Sequence, residues 1–145
     1  MSEPASQAAF ERARSLVTLE PLLPAGLVFT WHGRRCGCRI AESRGRVMAE
    51  ITVELGAMPF SAEDGGARMR LLEILRHGGG DATGHYRLSD RGRFQYRGEE
   101  PIERPVSGAG IVAAVTRFML RARPFLLLAA ENGPRRRPNP YRRRA

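Results

Sequence analysis

Lysine is missing from this chain, and all 24 basic side chains are arginine. The absence excludes a nucleotide-binding phosphate loop, because the Gly-Lys-Ser/Thr end of such a loop requires the amine. The glycine clusters Gly78-Gly79-Gly80 and Gly108-Ala109-Gly110 therefore read as a helix terminator and a loose helix start. Cysteine is scarce as well. Cys36 and Cys38 cannot make a disulfide framework, which agrees with a reducing compartment. Long apolar runs are absent too: the longest, Phe125 to Ala130, has six residues, against roughly 20 for a membrane span. The first residues, Met1-Ser2-Glu3-Pro4-Ala5-Ser6, lack the basic and apolar regions of a secretory signal, so a soluble, cytoplasmic protein is expected. No catalytic constellation is present, and neither an enzyme nor a cofactor is expected.

The chain has 145 residues, enough to bury one core without disulfides or a structural metal. Its charge is unevenly placed. Residues 1–133 hold 18 Arg against 15 acids, a balance of +3, and residues 134–145 hold six Arg and no acid, which supplies the other +6 of the +9 total. The expectation is a single α+β domain over 1–133 and a disordered Arg-rich tail over 134–145.

Within the domain the clearest pattern is Val47 to Leu55. Val47, Ala49, Ile51, Val53 and Leu55 share one face, and Met48, Glu50, Thr52 and Glu54 the other, which predicts a strand with a wet side. Before it, Ala9, Phe10, Ala13, Leu16 and Val17 recur at helical spacing and predict a first helix from Ser6 to Leu19, ended by Pro21 and Pro24. Strands are predicted over Leu27 to His32 and Cys36 to Ile40, joined by a Gly33-Arg34-Arg35 turn, with Ser43-Arg44-Gly45 turning into the central strand. After Leu55, Met69, Leu71, Leu72, Ile74 and Leu75 predict a second helix that starts beyond Gly65 and Gly66, with Asp64 as its cap. Thr83 to Leu88 and Arg93 to Arg97 form a hairpin around Ser89-Asp90-Arg91-Gly92, with Tyr86 and Leu88 facing Phe94 and Tyr96. A polar loop is expected from Gly98 to Pro105. Ile111, Val112, Val115, Phe118 and Met119 then mark a last helix, kinked or restarted at Pro124.

Four features invite chemistry. Cys36-Gly37-Cys38 with His32 has the residue types of a zinc site, but alternate strand residues lie ~6.6–7 Å apart with parallel side chains, too far for easy convergence on one tetrahedral ion. The pair reads as two small core residues. His77 and His85 read as solvated. Glu99, Glu100 and Glu103 read as a solvated acidic loop. The fourth feature is the tail, where Arg135, Arg136 and Arg137 and then Arg142, Arg143 and Arg144 flank Pro-Asn-Pro-Tyr. Such a segment is drawn to RNA, DNA, anionic lipid or an acidic protein patch; the alternative is a solubilising end in an Arg-biased sequence.

The order helix, three-stranded antiparallel meander, helix, β-hairpin, long C-terminal helix resembles the type III secretion chaperone-like fold, shared by the effector-binding chaperones and the YbjN-like family. The resemblance covers residues 6–131. It rests on Met69-Arg70-Leu71-Leu72-Glu73-Ile74-Leu75, on the hairpin from Gly84 to Tyr96 with its Asp90-Arg91-Gly92 turn, and on the last helix. It implies a non-enzymatic protein binder, often a homodimer, that holds an extended partner segment. Secretion chaperones of this fold are usually acidic, so a sequence pI of about 11.2 sets the YbjN-like reading ahead. The run beyond Pro124, with Phe125 and Leu126, is the expected dimer or partner surface. The competing expectation is an accessory nucleic-acid-binding protein that works through its tail by weak, sequence-tolerant contacts.

Overall fold

The computed structural model describes residues 18–77 and 84–133. Residues 6–17 of the expected first helix, Thr83 and the Arg-rich tail lie outside them. The chain enters through Thr18 and Leu19, which are not helical, and a short 3-10 turn at Glu20–Leu22. Five strands follow: β1 (Ala25–Trp31), β2 (Arg34–Ser43), β3 (Arg46–Ala57), β4 (His85–Leu88) and β5 (Arg93–Ile102). Helix α1 (Ser61–His77) lies between β3 and β4, and α2 (Gly108–Asn132) follows β5. All pairings are antiparallel, in the spatial order β1-β2-β3-β5-β4.

The two turns of the meander hold two residues each. His32 and Gly33 have φ of 46° and 74°, Arg44 and Gly45 have 52° and 75°, and this double left-handed conformation matches the twist of the strands it joins. The first turn thus falls at His32-Gly33 rather than Gly33-Arg34-Arg35, and Arg34 already pairs with Trp31.

The face predicted for β3 is the buried one: Val47, Ala49, Ile51 and Val53 point into the core. β5 runs further than its sequence suggested. Instead of a loop from Gly98, alternation continues through Gly98, Glu100 and Ile102, all buried, along the full length of β3. Gly98 lies opposite Ile51, and Glu100 opposite Ala49. The hairpin also packs closely at its base, where a Cβ on Gly84 would sit 2.5 Å from the Arg97 carbonyl oxygen.

Both helices pack on this inner face, α2 over β3 and β5, and α1 against α2 and β4. α1 is broken at Asp64 (φ −157°, ψ 83°), whose Oδ1 accepts from the Ala67 N–H at 2.9 Å, so the main helix starts under the expected cap. Its buried side is narrower than expected: Leu71 is buried, but Met69 is exposed. In α2, Ser107 caps the start by accepting from the Gly110 N–H. The helix passes Pro124 without leaving helical geometry. Ile111, Ala114, Phe118, Ala122, Leu126 and Ala129 line one buried stripe on either side of the proline, while Val112 is exposed. Phe125 is half-buried and stacks on Tyr96 at 5.6 Å, and its carbonyl accepts from the Tyr86 hydroxyl at 2.7 Å. Phe125 and Leu126 therefore serve this chain's own core, and the exposed apolar side chains of the run are Leu127 and Leu128.

Candidate functional site

The two edges of the sheet are treated differently by the sequence. β4, at one edge, has four residues and carries His85 and Arg87, two devices that discourage pairing with another chain. β1, at the other, is seven residues long, Ala25-Gly26-Leu27-Val28-Phe29-Thr30-Trp31, with no charge, no proline and an unbroken register. Leu27, Phe29 and Trp31 face the helix side half-buried against the core, and Gly26, Val28 and Thr30 face outward and are exposed, Val28 by 62%.

Pairing geometry fixes which backbone groups are left over. A two-residue turn makes Trp31 and Arg34 a hydrogen-bonded pair, and such pairs alternate along the ladder. Phe29 and Leu27 are then bonded to β2, and the N–H and C=O groups of Thr30, Val28 and Gly26 point to the edge that no other described strand pairs with, the free edge among the described residues. This is the arrangement on which an additional strand pairs.

The outer face of the sheet is a charged lattice. Glu50 accepts from Arg97 and lies 3.9 Å from Arg39, and Glu54 lies 3.4 Å from Arg93 and accepts from Gln95 at 2.6 Å. The sheet aromatics Phe29, Trp31, Tyr86, Phe94 and Tyr96 lie on the opposite, inward side. Among the described residues the outer face of the sheet thus carries no Phe, Tyr or Trp on which bases could stack. At the sheet end bearing the β1–β2 and β4–β5 turns, a concavity of about 1190 Å³ is lined by Arg35, Arg87 and Arg91 as well as by Glu54 and Asp90, and Gly133 also lines it.

The acidic group read as solvated divides. Glu99 and Glu103 are exposed, but Glu100 is only 3% exposed. Its carboxylate accepts from Arg117 Nε at 3.1 Å and from the Arg121 guanidinium, one helical turn apart on α2. Both oxygens are engaged, so this buried carboxylate is a fastener between β5 and α2. Sequence reasoning missed it because its partners lie 17 and 21 positions away, on another element.

Cys36 and Cys38 sit beside each other on the inward face of β2, opposite Phe29 and Leu27, both buried and unpaired. Among the described residues no three His, Cys, Asp or Glu side chains converge in a metal-binding group. Burial pushes both thiols up, from the usual value near 9 to about 11, because the apolar surroundings disfavour the thiolate. Below pH 9 both folded and unfolded chains keep these protons. Between pH 9 and 11 the unfolded chain releases them first, so stability is expected to fall with rising pH by up to about 2–3 kcal/mol per thiol. Urea unfolding at pH 8 and pH 11 checks this: the alkaline loss should shrink in Cys36→Ala/Cys38→Ala, whose starting stability is lower through lost packing.

Of the remaining sites expected from sequence, Arg135, Arg136, Arg137, Arg142, Arg143 and Arg144 lie outside the described residues. Among the described residues no helix is long and apolar enough to cross a membrane. No protein-family model, curated protein or solved structure matches the chain.

Proposed function

We propose that this protein is a non-enzymatic, chaperone-like protein-binding domain that holds an extended partner segment by adding it to the free edge of β1. The observation that carries the reading is the unguarded edge: seven uncharged residues with outward backbone groups at Gly26, Val28 and Thr30 and a half-buried apolar row beneath. Affinity comes from the backbone ladder, and selectivity from alternate side chains entering beside Leu27, Phe29 and Trp31. This is the mode of action implied by the resemblance to the YbjN-like and secretion chaperone families, and it needs no cofactor. The same resemblance implies a homodimer, for which Leu120, Leu127 and Leu128 on α2 provide exposed apolar side chains.

A second reading, accessory nucleic-acid binding through the tail, is supported by Gly133 lining a concavity that also holds Arg35, Arg87 and Arg91. In sequence the tail's first arginine cluster begins two residues after Gly133. Salt separates the two readings. If β1 is the binder, extended apolar peptides should bind full-length protein and a 1–133 truncation alike, with little change between 50 and 200 mM salt. Thr30→Pro should abolish binding, since it removes an edge N–H without breaking a bond to β2. Binding that disappears with residues 134–145 and falls steeply with salt would replace this reading by the second.

A further inference from the structure

The register of β1 on β2 carries information about what an added strand must look like. On the outer face Gly26 is paired with Arg39, Val28 with Gly37, and Thr30 with Arg35. The β1 members of the first and last pairs are small, glycine with no side chain and threonine with a short one. The arginines behind them can therefore extend across β1 toward the free edge.

Both arginines are available for this. Arg35 is exposed and forms no ion pair with a described residue. Arg39 is 66% exposed in its side chain and, among the described residues, approaches only Glu50, at 3.9 Å, whose other oxygen accepts from Arg97. An added strand lies two strand spacings from β2, roughly 9–10 Å, a gap that one extended arginine and one glutamate side chain span together. Between these two positions the surface changes character. Val28 is exposed, and a Cβ built on its partner Gly37 would meet nothing within 4 Å, so this middle pair brings one apolar side chain and no charge of its own.

We infer that the segment accepted by β1 is acidic, with its outward side chains reading acid, apolar, acid at alternate positions, opposite Gly26, Val28 and Thr30. Its two inward side chains between them are apolar and meet Leu27, Phe29 and Trp31. The inference rests on the strand-addition reading and adds the chemistry of the partner. A second copy of this chain does not fit the same edge. Pairing two β1 strands antiparallel about Val28 brings Arg35 of one chain toward Arg39 of the other, and like charges facing each other oppose pairing. Nucleic acid would satisfy the arginines but leave the inward apolar row uncovered.

The test uses full-length protein and three synthetic ten-residue peptides with identical apolar inward residues and outward Glu-Val-Glu, Gln-Val-Gln or Lys-Val-Lys, titrated by fluorescence anisotropy at 50 and 200 mM salt. The Glu peptide should bind about tenfold more tightly than the Gln peptide, as two partly exposed ion pairs allow, and the Lys peptide least. In Arg35→Gln/Arg39→Gln, whose changes lie on the exposed face, the Glu preference should vanish while the Gln peptide keeps its wild-type affinity. Equal binding of the Glu and Gln peptides to wild type, with both lost in Thr30→Pro, would overturn the acidic signature and leave strand addition standing. Failure of all three peptides would remove both. Displacement of the Glu peptide by a ten-nucleotide oligothymidylate at equal concentration would overturn the inference in favour of a general polyanion surface.

Discussion

Replacing Arg117 and Arg121 together by alanine is expected to cost about 3–5 kcal/mol of folding stability, the range for a buried charge left without its partner. Glu100 is the reason. It sits under α2, and each of its two oxygens accepts from one of the two guanidinium groups. Without them the carboxylate keeps its desolvation cost and loses its compensation. The reverse change should be milder: Glu100→Ala leaves two arginines whose side chains are already about half exposed, and each can turn to water. We expect Glu100→Ala to cost roughly half as much as the double arginine variant, through lost charge-assisted hydrogen bonds and a small cavity. Urea midpoints for the two variants and the wild type decide the order. A larger loss in Glu100→Ala would mean that the carboxylate is not stranded when its partners leave.

The second large effect falls on the run after Pro124. Leu126→Ala should cost about 2–5 kcal/mol, as truncation of a leucine with no exposed surface does. Leu128→Ala, one helix position off the buried stripe, should stay within about 0.5 kcal/mol in a monomer. Sedimentation at micromolar concentration distinguishes what the exposed residues do. If Leu127 and Leu128 join two copies, Leu128→Glu should convert a dimer to a folded monomer. A Leu126→Ala variant as stable as wild type would show that this part of the helix does not close the core.

These expectations rest on a helical phase that was legible in part. Ile111 and Phe118 follow helical spacing, and the same phase runs on through Ala122, Leu126 and Ala129. Reading Pro124 as a break discards that phase, and with it the distinction between Leu126 inside and Leu128 outside. A proline on the exposed side of a helix removes one backbone bond without displacing the buried stripe. The central strand was fully legible because hydrophobic alternation is a local property. β5 was not legible beyond Arg97. Its inward positions are filled by glycine and glutamate, and only residues on α2 make that glutamate a core residue. His32 hid the first turn for a related reason, since a positive φ is more readily assigned to glycine than to histidine. For the candidate site the alternation of Leu27, Phe29 and Trp31 was plain, but its position at an edge was not. Strand order is set by β3 pairing with β5, across a whole helix and hairpin, and no local pattern encodes it.

One residue of that edge has an optical consequence. Trp31 is the only tryptophan in the chain, and it ends β1 half-buried, with the His32 ring set edge-on at 4.3 Å. The aromatic cluster beneath α2 contains only tyrosine and phenylalanine. Excited selectively near the red end of its absorption, the protein therefore emits from a single place, at the end of β1, the edge strand of the described sheet. Loss of water around that indole would shift its emission to shorter wavelength, while rearrangements among the helices would leave it nearly silent.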